Sequence, residues 1–185
     1  MTSSDDTALS PGALEGIAAR VGRSSAGRPE DGASAVGGGA RIAMVCAKFN
    51  GGITERLLHG ALEALAECGL PSANVEVAWV PGAFELPVTA SRLAASGRID
   101  AVIALGAVIR GDTAHFEYVA GPCATGLAQV ALETGVPVVF GVLTTEDVAQ
   151  ALARSEKGAD NKGWEAACTA LEMVDLLGRL PARPD

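Results

Sequence analysis

Four apolar runs alternate with amphipathic segments along the chain. The runs lie at 41–47, 75–80, Ala101–Ile109 and 136–143. The third is continuously apolar and rich in Val and Ile, which is typical of a strand that helices cover on both faces. Apolar residues at helical spacing predict helices over 53–68, 86–95, 118–134 and 162–180. We expect residues 144–146 to cap a shorter helix that ends near Arg154, and residues 155–161 to form a polar loop. Because strand and helix alternate throughout, the pattern predicts an α/β fold with a parallel sheet.

The predicted domain spans 41–185. We expect a flavodoxin-like three-layer α/β/α sandwich around a central, mostly parallel four-stranded sheet, to which an extra N-terminal strand could be added. Residues 1–40 are instead rich in Gly, Ser, Pro and Asp and contain three consecutive glycines at 37–39. This composition buries too little apolar surface to fold, so we predict a disordered N-terminal extension, within which a short helix near 13–21 could form.

Charge and hydropathy limit the classes of partner. The formal net charge of −8 argues against nucleic acid as the main partner. The mean hydropathy of +0.29 is high for a chain with 19% charged residues. A membrane span would need about 18 consecutive apolar residues, and the longest apolar runs here have the length of strands. We therefore expect no membrane partner, but a buried sheet and large contacts between subunits.

The cysteines and the N-terminus bear on metal binding and location. Cys46, Cys68, Cys123 and Cys168 are far apart, without a CxxC pair or a nearby His, so no metal site is predicted. Free thiols within apolar patterns suggest a reducing compartment. The N-terminus shows no apolar core of a signal peptide. We therefore expect a cytoplasmic protein.

Polar or glycine-rich loops follow three of the four predicted strands. They are KFNGG at 48–52, PGAFE at 81–85 and RGDTAH at 110–115, whereas the fourth strand carries Phe140-Gly141 within it. In open parallel sheets, ligands bind beyond the carboxyl ends of the strands. The three loops therefore predict a ligand site at one edge of the sheet.

The third loop carries the most specific chemistry. Gly111 and the backbone of Asp112 and Thr113 could cradle a phosphate through N–H groups, although a turn-forming role for Asp112 is the structural alternative. His115 suits proton transfer near neutral pH. There is neither a Walker motif nor a GxGxxG after the first strand, and no nucleophile with a base and its orienting group can be placed.

Four further residues have a structural and a functional interpretation. Glu85 is either a functional carboxylate or an acid that favours a helix N-terminus. The pattern alone favours a core aromatic for Phe49 and a surface charge near a helix end for Arg154, while stacking and phosphate binding are the functional alternatives. His59 lies within the first predicted helix, where a surface or packing role is favoured.

A set of motifs resembles a known family. In chain order they are FN…IT at 49–54, PGAFELP at 81–87, GAVIRGDTAHFEYV at 106–119, FGVLTTE at 140–146, Arg154 and NKGWEAA at 161–167. From 41 to 180 the chain resembles the 6,7-dimethyl-8-ribityllumazine synthase family of riboflavin biosynthesis. The resemblance implies condensation of 5-amino-6-(D-ribitylamino)uracil with 3,4-dihydroxy-2-butanone 4-phosphate, with loss of phosphate and water and without a metal or organic cofactor.

The resemblance also implies roles for individual residues. Phe49 would stack on the uracil ring, and Ala83, Phe84 and Glu85 would hold the ribityl chain and the ring edge. The strand end at Ala107, Val108 and Ile109 would read the pyrimidine, although many members have Thr at the first of these positions. Gly111, Asp112 and Thr113 would bind the butanone phosphate, and His115 would transfer protons. Phe140 and the phosphate-binding Arg154 would complete the pocket, with Lys162 as a nearby basic residue.

The resemblance implies self-association as well. Members form pentamers, some of which stack into decamers or sixty-subunit shells, with Phe140 and Arg154 reaching the pocket from the neighbouring subunit. Association with riboflavin synthase would be a further partnership. Two alternative functions stay open: a non-catalytic paralogue that binds flavin or lumazine or forms a shell, and a riboflavin synthase of the pentameric type. The assembly size and the purpose of residues 1–40 do not follow from the sequence.

Overall fold

A parallel four-stranded sheet forms the centre of the molecule. The computed structural model describes residues 39–181. The strands are β1 (Ile42–Ala47), β2 (Val75–Val80), β3 (Ala101–Ile109) and β4 (Val138–Thr145), in the spatial order β2-β1-β3-β4. All three pairings are parallel, as predicted. The carboxyl ends of the strands therefore meet at one edge of the sheet.

Helices cover both faces of the sheet. They are α1 (Gly51–Glu67), α2 (Leu86–Ala94), α3 (His115–Thr134), α4 (Val148–Arg154) and α5 (Lys162–Arg179), with short 3₁₀ turns at Ser72–Asn74 and Ala83–Glu85. One apolar core joins the sheet to α1, α4 and α5, and a second joins it to α2 and α3. This arrangement confirms the predicted flavodoxin-like three-layer sandwich.

Side chains of β1 and β3 supply both cores by alternation. In β1, Ile42, Met44 and Cys46 point into the core beneath α1, whereas Ala43 and Val45 point into the core beneath α2 and α3. The residues of β3 from 101 to 107 are all buried. The prediction of a strand covered on both faces is therefore confirmed.

Two element boundaries differ from the predictions for identifiable reasons. The strand predicted at 136–143 lies instead at Val138–Thr145, because β4 pairs with β3 out to the partners Ile109 and Thr145. The helix predicted from 118 begins already at His115 and continues through Pro122. Its buried side chains at Cys123 and Leu127 pack into the core beneath α2 and α3, which outweighs the local preference of proline.

The predicted cap of α4 is wrong. We expected residues 144–146 to cap this helix, but Thr145 belongs to β4 and the cap is Asp147. The Asp147 carboxylate accepts a 2.7 Å hydrogen bond from the backbone N–H of Gln150. A short acidic side chain satisfies a free N–H group of the first turn equally well.

Some predictions concern parts of the chain outside the described residues. The extension at 1–40 lies there except for its last two residues, together with the short helix near 13–21 and the extra N-terminal strand. They stay predictions. Within 39–181, none of the helices combines the length and apolar character that crossing a membrane requires.

Candidate active site

A cleft of about 730 Å³ opens at the carboxyl edge of the sheet. The loops after β1, β2 and β3 border it, as the sequence predicted. It brings together ten of the predicted site residues: Phe49, Ala83, Phe84, Glu85, Ala107, Val108, Ile109, Gly111, Thr113 and His115. We call this space the loop cleft. Phe116 and Tyr118 at the start of α3 also line it.

Backbone hydrogen bonds hold the first two loops together and turn Phe49 outward. The N–H of Lys48 donates to the carbonyl of Val80 at 2.8 Å, and that of Phe49 donates to the carbonyl of Pro81 at 3.1 Å. Phe49 is consequently 72% exposed at the cleft. The pattern-based preference for a core aromatic is therefore wrong, and the ring is available to a ligand.

Asn50 joins the first loop to β3, a role that sequence reasoning missed. Its backbone is left-handed, with φ of 56°, and its side-chain Nδ2 donates to the Ala107 carbonyl at 2.9 Å. Asn tolerates this conformation better than most residues do. An Asn before two glycines was the feature of the sequence that could have indicated this left-handed turn. The hydrogen bond ties the Phe49 loop to the strand end that borders the cleft.

Glu85 lies where a short 3₁₀ turn passes into α2. Its N–H donates to the Gly82 carbonyl at 3.3 Å, and its own carbonyl accepts from the Thr89 hydroxyl at 3.2 Å. Its carboxylate makes no capping hydrogen bond to α2. Since Glu85 also lines the loop cleft, its side chain is free to act on a ligand there.

The loop from Gly111 to His115 is solvent-exposed. The backbone N–H of His115 donates weakly to Thr113 Oγ1, at 3.4 Å. Asp112 is exposed and is not among the residues that line the cleft. A phosphate in the loop cleft would therefore meet backbone N–H groups and the Thr113 hydroxyl before it met the Asp112 carboxylate.

An ion-paired arginine anchors this loop at its base. The Arg110 guanidinium donates to a carboxylate oxygen of Glu117 in α3 and, at 2.8 Å, to one of Glu146 after β4. It also lies over the Phe116 ring, 4.1 Å from the centroid. Hydrogen bonding to Arg110 lowers the pKa of Glu117. We call this group the Arg110 clamp, and it connects the ends of β3 and β4 to α3.

Apart from Asp112, the remaining predicted residues lie in a second cleft. Phe140, Arg154 and Lys162 border a space of about 420 Å³ beside β4, together with Thr144 and Glu165. We call it the arginine cleft. The Arg154 guanidinium donates to the Gln150 carbonyl at 3.0 Å, and Lys162 pairs with Glu165 at 2.5 Å. The two clefts share no lining residue.

A buried asparagine holds the loop between Arg154 and Lys162 in place beside the arginine cleft. The amide of Asn161 donates to backbone carbonyls of Ser155, Glu156 and Arg56, and its oxygen accepts from the N–H groups of Gly163 and Trp164. Asn161 is 2% exposed. Sequence reasoning placed it in a polar loop and missed its role. Its position before a helical pattern was the available signal for a cap.

The other candidate residues lie away from both clefts. His59 is exposed on α1, as predicted. All four cysteines are free, and Cys46 and Cys123 are buried. Burial raises the pKa of Cys123 to about 11, so the thiol form is maintained near neutral pH. Among residues 39–181, no group of three or more His, Cys, Asp or Glu side chains is arranged to hold a metal ion.

Comparison with known proteins identifies the family. Residues 39–178 match the family model described as 6,7-dimethyl-8-ribityllumazine synthase. A protein of that name from Edwardsiella ictaluri (strain 93-146) is 58% identical over 144 residues, which cover 77% of this chain and 92% of the relative. The chain belongs to the 6,7-dimethyl-8-ribityllumazine synthase family.

Membership in this family defines the reaction. The enzyme is a transferase of riboflavin biosynthesis that condenses 5-amino-6-(D-ribitylamino)uracil with 3,4-dihydroxy-2-butanone 4-phosphate, and phosphate and water leave. Neither alternative function, the non-catalytic paralogue or the riboflavin synthase, gains support from these matches.

Proposed function

We propose that the loop cleft and the arginine cleft are two halves of one active site, completed where neighbouring subunits meet. The observation that carries this proposal is the distribution of positive charge. Among residues 39–181, those that line the loop cleft include Glu85 but no Lys or Arg, whereas Arg154 and Lys162 line the other cleft. Arg110, beside the loop, is already paired with Glu117 and Glu146. A phosphate substrate in the loop cleft therefore needs a cation from elsewhere.

The pyrimidine substrate fits the inner part of the loop cleft. Phe49 presents an exposed ring on which a uracil can stack. The 3₁₀ turn at Ala83–Glu85 offers backbone groups and a carboxylate to the ribityl hydroxyls. Residues 107–109, at the end of β3, hydrogen-bond the edge of the pyrimidine.

The butanone phosphate fits the outer part of the loop cleft. Gly111, Asp112 and Thr113 bind its phosphate, chiefly through backbone N–H groups. We call these three residues the phosphate loop. The exposed Asp112 carboxylate turns away from the phosphate, which avoids repulsion between like charges. Arg154 of the neighbouring subunit binds the phosphate through bidentate hydrogen bonds, and Lys162 adds positive charge. Phe140 completes the apolar lining of the site.

His115 moves the protons of the reaction. The substrate amine attacks the butanone carbonyl and water leaves as an imine forms. Loss of a proton next to the imine then expels phosphate. The enol left by this elimination takes up a proton on its terminal carbon and becomes a ketone. The second amine attacks this new carbonyl, the ring closes and a second water leaves. His115 lines the loop cleft next to the phosphate loop, where an imidazole can remove and return these protons. All reacting atoms come from the two substrates, and the family resemblance implies no metal or organic cofactor.

A ring of subunits satisfies the geometry of the shared site. The two clefts are different surfaces of the same chain, so a head-to-tail contact whose rotation closes into a ring would pair each loop cleft with a neighbour's arginine cleft. A pentamer is the ring that the family resemblance implies, with decamers or sixty-subunit shells as stacked forms. We place this enzyme in the cytoplasm, where association with riboflavin synthase would shorten the path of the product.

Mixing two impaired variants tests the shared site, at a butanone phosphate concentration well below the raised KM of Arg154→Ala. His115→Ala removes the proton-transfer group, and Arg154→Ala removes the phosphate-binding cation. In a randomly mixed one-to-one ring, about one contact in four joins an intact His115 to an intact Arg154. Mixed assemblies should therefore recover about a quarter of the wild-type turnover, measured as formation of the lumazine chromophore above the spontaneous background.

A matched mixture distinguishes a shared site from one within a single subunit. Wild-type chains mixed one-to-one with the double variant His115→Ala/Arg154→Ala should also show about a quarter of the turnover if the site is shared. A site within one subunit predicts about half for this mixture and no recovery for the two single variants. That second pattern would overturn the proposal.

A further inference from the structure

We propose that Asn161 is a positioning residue that sets the distance between Arg154 and Lys162 and thereby the affinity of the enzyme for its phosphate substrate. This inference rests on the proposed function of Arg154. Asn161 lies in the loop between α4, which ends at Arg154, and α5, which begins at Lys162. It holds both ends of that loop through one side chain.

The Asn161 amide fixes the start of the loop. Its Nδ2 donates to the carbonyl of Ser155 at 2.9 Å and to that of Glu156 at 3.0 Å, directly after Arg154. A third, longer contact at 3.3 Å reaches the carbonyl of Arg56 in α1. The segment that follows Arg154 is thus tied both to Asn161 and to the helix beneath it.

The amide oxygen fixes the end of the loop. It accepts from the N–H of Gly163 at 2.8 Å and from that of Trp164 at 3.3 Å, which caps α5 just behind Lys162. The orientation of the amide is unambiguous, because the groups around Nδ2 are carbonyls, which can only accept, and those around the oxygen are N–H groups, which can only donate.

Two glycines allow the close approach of α1 and α5 around this side chain. A Cβ atom on Gly60 of α1 would overlap the Asn161 amide, and one on Gly163 would overlap the backbone of Leu57. The two helices can approach each other this closely only without those atoms. The socket for Asn161 therefore includes a residue, Gly60, that touches neither cleft.

Backbone position determines where the cations lie. The Arg154 guanidinium bonds to the Gln150 carbonyl of its own helix, and Lys162 pairs with Glu165 of its own helix. Each cation consequently moves with the helix that carries it. Because Asn161 joins the two helices, a change in its hydrogen bonds shifts one cation relative to the other. A misplacement of about 1 Å can lower the rate of an enzyme by about 100-fold.

Two variants test this inference by different routes. Asn161→Asp keeps an acceptor for Gly163 and Trp164 but loses the donor to the three carbonyls. Gly60→Ala keeps the asparagine at position 161, but the added methyl group displaces its amide. We expect both to raise KM for the butanone phosphate by about 10-fold or more and to change KM for the pyrimidine less than about two-fold. Affinity for inorganic phosphate, titrated calorimetrically, should fall in the same proportion.

Ser155→Ala is the matched control. It removes a 3.1 Å hydrogen bond from the same loop, donated by the Ser155 hydroxyl to the Leu152 carbonyl, and leaves every Asn161 contact intact. Both KM values should stay within about two-fold of wild type. A purely structural role for Asn161 would instead lower the amount of active enzyme and leave the KM values of the surviving molecules unchanged.

Arg154→Ala separates failure of the inference from failure of the proposed function. If it raises KM for the butanone phosphate while Asn161→Asp and Gly60→Ala do not, Asn161 has no positioning role and the proposed function stands. If Arg154→Ala itself leaves that KM unchanged, the proposed function fails first. Should Asn161→Asp not fold, Gly60→Ala decides, because it retains every polar group.

Discussion

The two halves of the proposed active site are held in place by different means. The Arg110 clamp anchors the loop cleft through exposed carboxylates of Glu117 and Glu146. Asn161 anchors the arginine cleft through a buried amide. Exposed ion pairs contribute about 0–1 kcal/mol each, whereas a buried polar group that loses its partner costs about 1–3 kcal/mol. The loop side is therefore free to adjust to a substrate, and the arginine side is rigid.

Space around the glycines shows the same difference. A Cβ atom on Gly111, in the phosphate loop, would have no neighbour within 4 Å, whereas one on Gly163 would overlap the Leu57 backbone. One half of the site is open and the other is tightly packed. Binding groups on a rigid element keep their geometry, while a loop that must admit and release substrates needs free space.

The largest expected effect would sharpen this contrast. Gly163→Ala should lower the free energy of unfolding by about 3 kcal/mol or more, because the added methyl group forces the backbones of α1 and α5 apart. Gly178→Ala, in the same helix but with open space around it, should leave stability unchanged or raise it slightly. Urea midpoints of both variants measure the difference. Equal midpoints would mean that the contact between α1 and α5 is not tight.

Removal of the Arg110 clamp should affect turnover more than stability. Arg110→Met keeps an apolar side chain over Phe116 but removes both ion pairs. We expect a small fall in the free energy of unfolding, because exposed ion pairs contribute little to stability, and a fall in kcat of about 5- to 10-fold, because the phosphate loop and His115 lose their tie to β4. Urea unfolding and steady-state kinetics check the two values. A urea midpoint lowered as far as that of Gly163→Ala would make the clamp as structural as Asn161 and break the comparison.

The smallest expected effect concerns pH. The pKa of Glu117 lies below its ordinary value of 4.5, chiefly because of its hydrogen bond to Arg110. The unfolded chain therefore binds a proton to this group at a higher pH than the folded chain does, and the stabilisation by the clamp is lost as pH falls through the folded pKa. The stability difference between wild type and Glu117→Gln should shrink as the pH falls from neutral through the ordinary value of 4.5 and then through the folded pKa.

Gly60→Ala is the control for this titration. The Asn161 amide does not titrate, so the stability difference between wild type and Gly60→Ala should stay constant over the same range of pH. Urea midpoints at each pH measure both differences. A difference for Glu117→Gln that is equally constant would show that the carboxylate does not hold Arg110 in solution.

Local patterns in the sequence predicted most of the fold. Continuous apolar runs indicated β3 and its neighbours, and helical spacing indicated α1 and α5. The start of α3 at His115 was missed, because Gly121 and Pro122 break the local pattern and only burial of the helix face in the core outweighs them. The shift of β4 was missed because its pairing with β3 is a tertiary contact.

The candidate site was predicted in part. The motifs marked the loops that border the loop cleft, since parallel strands bring their carboxyl ends to one edge. The exposure of Phe49 could not be predicted from the pattern, because it depends on hydrogen bonds to Val80 and Pro81. Asn161 could not be predicted as an anchor either, because one of its contacts joins residues 105 positions apart.

The sequence by itself determined which segments become strands and helices, that the strands run parallel, and the chemical groups available for phosphate and proton transfer. These properties follow from periodicity and residue type, which are local. The tertiary structure decided that the cations lie in a separate cleft from the phosphate loop, which only the family resemblance had implied, and that a buried amide supports one cleft while exposed ion pairs support the other. Membership of a cleft depends on contacts between distant parts of the chain, and no local pattern encodes them.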